Sequence, residues 1–120
     1  MSPLVLALID AVLGLAFHHD ERARGRVWPD HEAIHVRAEI AGPRLTEPVP
    51  GGLELRVVVT YEPRSEEQAV EEQAVRFYVD VSGGRLLALE LELAELPLTR
   101  SGFARLLGEL ESWCYRRIPL

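Results

Sequence analysis

The chain has 120 residues, 48% hydrophobic and 27% charged, with 13 basic residues against 19 acidic ones for a formal net charge of −6. That length and mix bury a core without disulfide or metal staples, which argues against disorder and for a single domain over residues 1–120. All the basic residues are arginines, scattered rather than striped, and an acidic domain repels phosphate backbones, so nucleic acid is a poor partner class.

Ser2-Pro3 opens the first predicted helix: a hydroxyl N-cap, then a proline whose missing N–H costs nothing at the first helical position. The helix is expected from Pro3 to about Ala23, stopping near Gly25. The stretch Leu4 to Phe17 is nearly all apolar. No Lys or Arg precedes it, Asp10 interrupts it, and it is short for a bilayer span, so it reads as neither signal peptide nor membrane helix. An apolar circumference is more than one sheet face buries, because a surface helix needs only one stripe. The outward side offers little beyond Asp10 and Gly14 before His18. A partner, either another protein or a second copy, is therefore expected to cover Leu4, Leu8, Ala11 and Leu15.

After Trp28-Pro29-Asp30 the period changes to two. Ile34, Val36, Ala38 and Ile40 alternate with polar residues and predict a half-buried strand; Pro43 to Gly52 reads as a loop; Leu53, Leu55, Val57, Val59 and Tyr61 predict a second strand. Residues 66–75 are the pentapeptide Glu-Glu-Gln-Ala-Val written twice. It reads as an acidic, solvated loop or a turn of helix that Ser65 and Gln68 would cap. Val75, Phe77, Val79 and Val81 predict a third strand, Ser82-Gly83-Gly84 a tight turn, and Leu87, Leu89, Leu91 and Leu93 the inward face of a fourth. Thr99 or Ser101 caps a last helix with Phe103, Leu106, Leu107, Leu110, Trp113 and Cys114 on one face. The expected class is α+β: an N-terminal helix, a four-stranded antiparallel meander, and a C-terminal helix packed on the sheet.

His31-Glu32-Ala33-Ile34-His35 matches the H-E-x-x-H signature of zinc hydrolases. That chemistry needs a helix, where i and i+4 share one face and both imidazoles reach one ion. On the strand predicted here the two histidines stand about 13 Å apart, too far to share a metal. Neither a metal nor any other cofactor is expected. Cys114, the single cysteine, excludes an intrachain disulfide and fits a reducing, cytoplasmic setting. On the apolar face of the last helix it reads as a small hydrophobe, not a nucleophile.

Ile40-Ala41-Gly42-Pro43, then Thr46, Gly51-Gly52, an alternating strand ending in Tyr61-Glu62-Pro63, Val75-Arg76-Phe77, Gly84-Arg85-Leu86-Leu87 and Leu98-Thr99 follow one another in order. This succession resembles the ubiquitin-conjugating-enzyme (UBC-like) fold, whose order is also helix, four-strand meander, helix. The resemblance places Leu87 where that family carries its nucleophilic cysteine, and Ser82-Gly83-Gly84 where it carries His-Pro-Asn. It therefore implies a non-catalytic variant: a protein-binding module for a partner protein such as a ubiquitin-like conjugation component. A small acidic dimeric protein resembling secretion chaperones is the alternative, and a zinc hydrolase using His31, Glu32 and His35 a second one.

Overall fold

A computed structural model describes residues 2–43, 52–91 and 94–119. Helix α1 (Pro3–Ala23) starts as its sequence dictates: the Ser2 hydroxyl accepts a hydrogen bond from the Val5 N–H at 3.2 Å, with proline in the first turn. It ends where Arg24 leaves helical geometry and Gly25 takes φ 74°, a left-handed conformation that costs glycine little.

Five strands follow: β1 (Ala33–Pro43), β2 (Leu53–Glu62), β3 (Glu71–Asp80), β4 (Arg85–Ala88) and β5 (Ala94–Pro97). They form one antiparallel sheet in the order β1-β2-β3-β4-β5. Helix α2 (Arg100–Arg117) closes the order, its Gly102 N–H held by the Thr99 hydroxyl at 3.2 Å. Gly102 is needed there, because a Cβ would collide with the Pro97 carbonyl oxygen at the end of β5. The α+β class is as expected; the sheet has five strands rather than four.

The extra strand comes from the leucine-rich run after Gly84. An uninterrupted strand would point Leu87, Leu89 and Leu91 to one side. Instead β4 lasts four residues, a 3-10 turn (Leu89–Leu91) breaks it, and β5 returns beside it. The inward residues of β4 are Leu86 and Ala88, both 0% exposed, whereas Leu87 lies on the opposite face across from Tyr78. Leucine prefers helix to strand, so the run yields wherever a better contact is offered. Here Glu90 in the turn accepts from the Arg76 backbone N–H at 3.0 Å and pairs with its guanidinium at 2.9 Å. The loop expected at Pro43 to Gly52 falls largely on residues 44–51, and Leu93 on 92–93, outside the described residues.

Both helices cover the same sheet face. Val5, Leu8, Val12 and Leu15 of α1 and Leu106, Leu110, Trp113 and Cys114 of α2 pack with Ile34, Val36, Val57, Val59, Phe77 and Val79 in one core. Each fully buried aliphatic or aromatic side chain contributes about 1.5–3 kcal/mol. The opposite face is a lattice of charge: Arg37 reaches Glu39 and Glu72, Arg56 reaches Glu39 and Glu54, and Arg85 joins Asp80 to Glu95. The arginine forks suit this work, since one guanidinium spans two carboxylates.

Strand β1 is an edge of the sheet and lies under α1. Its Val36 N–H donates to the Asp20 carboxylate of α1 at 2.9 Å.

Candidate functional site

Around α1, seven positions at helical spacing face the core: Val5, Leu8, Val12, Leu15, Ala16, His19 and Ala23. Two of the four residues expected to meet a partner are therefore committed inward, with Leu8 1% and Leu15 7% exposed. Leu4 and Ala11 are half-buried on the flank of the same side. The correction has a physical cause. An apolar circumference gives the helix no preferred inward direction, so the sheet and α2 decide which leucines turn in.

The surface left outside is different. Leu6, Leu13 and Phe17 are 50%, 42% and 64% exposed, at spacing i, i+7, i+11, and so form one row. Asp10, Gly14 and His18, expected outward, are exposed beside that row, and Ala7 with them. Gly14 stands in the middle of a 21-residue helix with no atom within 4 Å of where its Cβ would be. Mid-helix glycine costs about 0.8–1 kcal/mol relative to alanine, and nothing among the described residues requires it. The signal for the row was present in the sequence, but an equally apolar inner face masked it.

The H-E-x-x-H pentapeptide leads into and begins β1, not a helix. His31 stacks against the Tyr61 ring with centroids 4.9 Å apart, while the next strand residues carry His35 to Glu62, 3.2 Å from its Nε2. Glu32 points elsewhere, its carboxylate 3.5 Å from Arg64. Among the described residues no three His, Cys, Asp or Glu side chains converge as a metal site.

Cys114 is 0% exposed in the core, and burial pushes its thiol up to about 12. A thiol held that high stays protonated at neutral pH, unlike the depressed thiols of nucleophilic cysteines. Leu87, where the UBC-like resemblance would put a nucleophile, is a buried hydrocarbon beside Tyr78. Ser82, Gly83 and Gly84 form the exposed turn between β3 and β4, with the Asp80 carboxylate accepting from the Gly83 N–H at 2.9 Å.

His19, also fully buried, joins the two helices. Its Nε2 lies 2.8 Å from the Glu111 carboxylate of α2, and Arg22 Nε donates to its Nδ1 at 3.3 Å. With Nδ1 accepting, the proton sits on Nε2 and the ring is neutral. Burial drives its pKa below the ordinary 6.5, against the opposing pull of Glu111. This is a structural joint: both nitrogens are occupied and the ring is sealed from solvent.

Compared with known proteins, the chain matches no family model, no curated protein and no solved structure.

Proposed function

We propose that the chain is a non-catalytic protein-interaction module that docks through the outer face of α1, and that its partner there is a second copy of itself. The observation that carries this reading is the exposed row Leu6, Leu13 and Phe17 beside Gly14. An apolar row is expensive to leave in water, and an exposed mid-helix glycine is expensive to keep unless a backbone approaches it.

A second copy supplies that backbone. Two α1 helices crossing antiparallel with Gly14 against Gly14 oppose their macrodipoles favourably and close as a two-fold pair. Positions equidistant from residue 14 then exchange, so Asp10 of one subunit faces His18 of the partner subunit. An anion meets a hydrogen-bond donor where the row would otherwise bury a lone carboxylate. Within this proposal the UBC-like resemblance describes a scaffold whose nucleophile position holds Leu87, which suits holding a protein rather than transferring one.

Light scattering over a range of concentrations tests the proposal. The protein is expected to run at twice the chain mass, and Phe17→Glu or Leu13→Glu to weaken association at least about tenfold with unchanged melting. Gly14→Leu is expected to do the same by bulk alone. A strictly monomeric protein at high concentration overturns the reading. So does sedimentation of monomers with lipid vesicles: α1 has a mean hydropathy of 1.4 over its most apolar window and is long enough to cross a bilayer, although a third of that window is buried in the chain's own core.

A further inference from the structure

Away from α1's outer row, a cleft of about 380 Å³ opens where the approach to β1, the ends of β2 and β3, and the C-terminal end of α2 meet. That is the size of a small-molecule site. Trp28 and Arg117 both line it. Trp28 is only 7% exposed, and its indole N–H, sealed from solvent, has no hydrogen-bond partner among the described residues. The Nε–H of Arg117 is in the same condition. Two orphaned donors on one cleft are unusual, because buried polar groups are nearly always satisfied.

Arg117 is also short of a counter-charge. Its guanidinium lies over the Trp113 ring at 4.1 Å and donates to the Trp113 carbonyl oxygen at 3.3 Å. Among the described residues it has no carboxylate partner, and burial with neighbouring Arg116 lowers its pKa. The rest of the cleft divides into an apolar wall and an acidic side. Ile34 and the Tyr61 ring supply the wall; the Tyr61 hydroxyl is already spent on the Arg117 carbonyl oxygen at 2.8 Å. Asp30 and Glu71 supply the negative charge.

A neighbouring cavity of about 440 Å³, which Trp28 also lines, differs in its charges. Arg24 pairs there with Asp20 and Glu21, and Arg64 with Glu32, while Arg26 donates to the Arg22 carbonyl oxygen. Trp28 borders both cavities, but Arg117 lines only the Trp28–Arg117 cleft of the two.

We infer that the Trp28–Arg117 cleft binds a free α-amino acid with an apolar side chain, as its zwitterion. The carboxylate takes the Arg117 and Trp28 N–H donors, which turn toward the cleft to reach it. The ammonium sits against Asp30 and Glu71, which would repel a plain anion. The side chain lies on Ile34 and Tyr61.

L-phenylalanine is the probe, and the Trp28 indole N–H resonance the readout, identified by its loss in Trp28→Phe. A saturable shift of that resonance is expected, accompanied by a shift of the Trp113 signal as the Arg117 guanidinium leaves its ring. 3-Phenylpropanoate, lacking the ammonium, and phenethylamine, lacking the carboxylate, are each expected to bind at least about tenfold more weakly. Arg117→Gln and Arg117→Lys should both abolish the shift, the lysine variant keeping the charge but losing the planar fork. No shift with phenylalanine overturns the inference, and equal binding of phenethylamine removes the carboxylate's role. Equal binding of N-acetyl-phenylalanine overturns the zwitterion and assigns the cleft to a peptide C-terminus. A saturable shift that persists in Arg117→Gln with unchanged melting overturns the assignment of Arg117.

Discussion

The two tandem copies of Glu-Glu-Gln-Ala-Val have one sequence and two structures. Residues 66–70 form the exposed connection between β2 and β3, where Ser65 accepts from the Glu67 N–H through its hydroxyl and from the Gln68 N–H through its carbonyl oxygen. Residues 71–75 are the first half of β3, paired residue by residue with Tyr61 back to Val57. Val70 is 58% exposed and Val75 1%. The pentapeptide has no structure of its own. Five is an odd number, so in a strand of period two the valines of both copies cannot reach the same face. Val75 is in phase with Phe77 and Val79 and Val70 is not, and β2 ends at Glu62 before Pro63, leaving the first copy no strand to pair with.

That contrast is sharpened by placing the same change in both settings. Val75→Asp buries an unpaired charge and is expected to cost about 4 kcal/mol or prevent folding, while Val70→Asp stays within about 0.5 kcal/mol; urea unfolding measures both. Equal losses would mean that the two copies share one environment. Two of the leucines of α1 repeat the experiment on a helix. Leu8→Ala is expected to cost about 2–4 kcal/mol and Leu13→Ala under about 0.5 kcal/mol in the monomer, read at a concentration below any association.

The adjacent histidines carry the comparison into pH. His19 has its folded pKa depressed below 6.5, so the unfolded chain binds more protons as pH falls past that value. Its contribution is complete above pH 6.5 and is lost as pH drops toward the folded pKa. Urea midpoints measured from pH 7.5 to 5 should therefore fall, with the slope flattened in His19→Gln and kept in His18→Gln. The smallest effect belongs to the glutamates. Glu72 pairs with Arg37 at 3.3 Å on the sheet surface. Glu72→Gln should cost about 0.3–0.5 kcal/mol, and Glu67→Gln in the exposed turn close to nothing.

The same dependence on context explains which parts of the molecule were legible. The ends of α1 and α2 were readable because Ser2-Pro3 and Thr99 satisfy orphaned N–H groups by local chemistry. Strands β1 and β2 were readable because their apolar residues recur at every second position, Val58 being an added apolar residue in β2. The break at Leu89–Leu91 was not, since it depends on Glu90 reaching Arg76 across the sheet. For the candidate surface, the sequence showed that α1 carries too much apolar area but not which side faces in. The cleft was invisible, because Trp28, Tyr61, Glu71 and Arg117 meet only after the sheet and the last helix are in place. His35 was correctly placed near the start of a strand, with His31 two residues ahead of that strand, because alternation from Ile34 outweighs a five-residue pattern.

The bond from Val36 to Asp20 bears on how such molecules crowd together. An edge strand of eleven residues is an open template on which neighbouring sheets add strand after strand. Here a charged acceptor from the helix already occupies one of the amides that an incoming strand would need. Adding a strand along β1 means stripping a carboxylate of its partner, a penalty that water does not repay once the edge is covered. The helix thus acts as a stopper for the sheet it rests on. Under the pairing proposed above, contact between copies would be turned away from endless stacking and toward the helix face, where a two-fold pair would close on itself and growth would end at two.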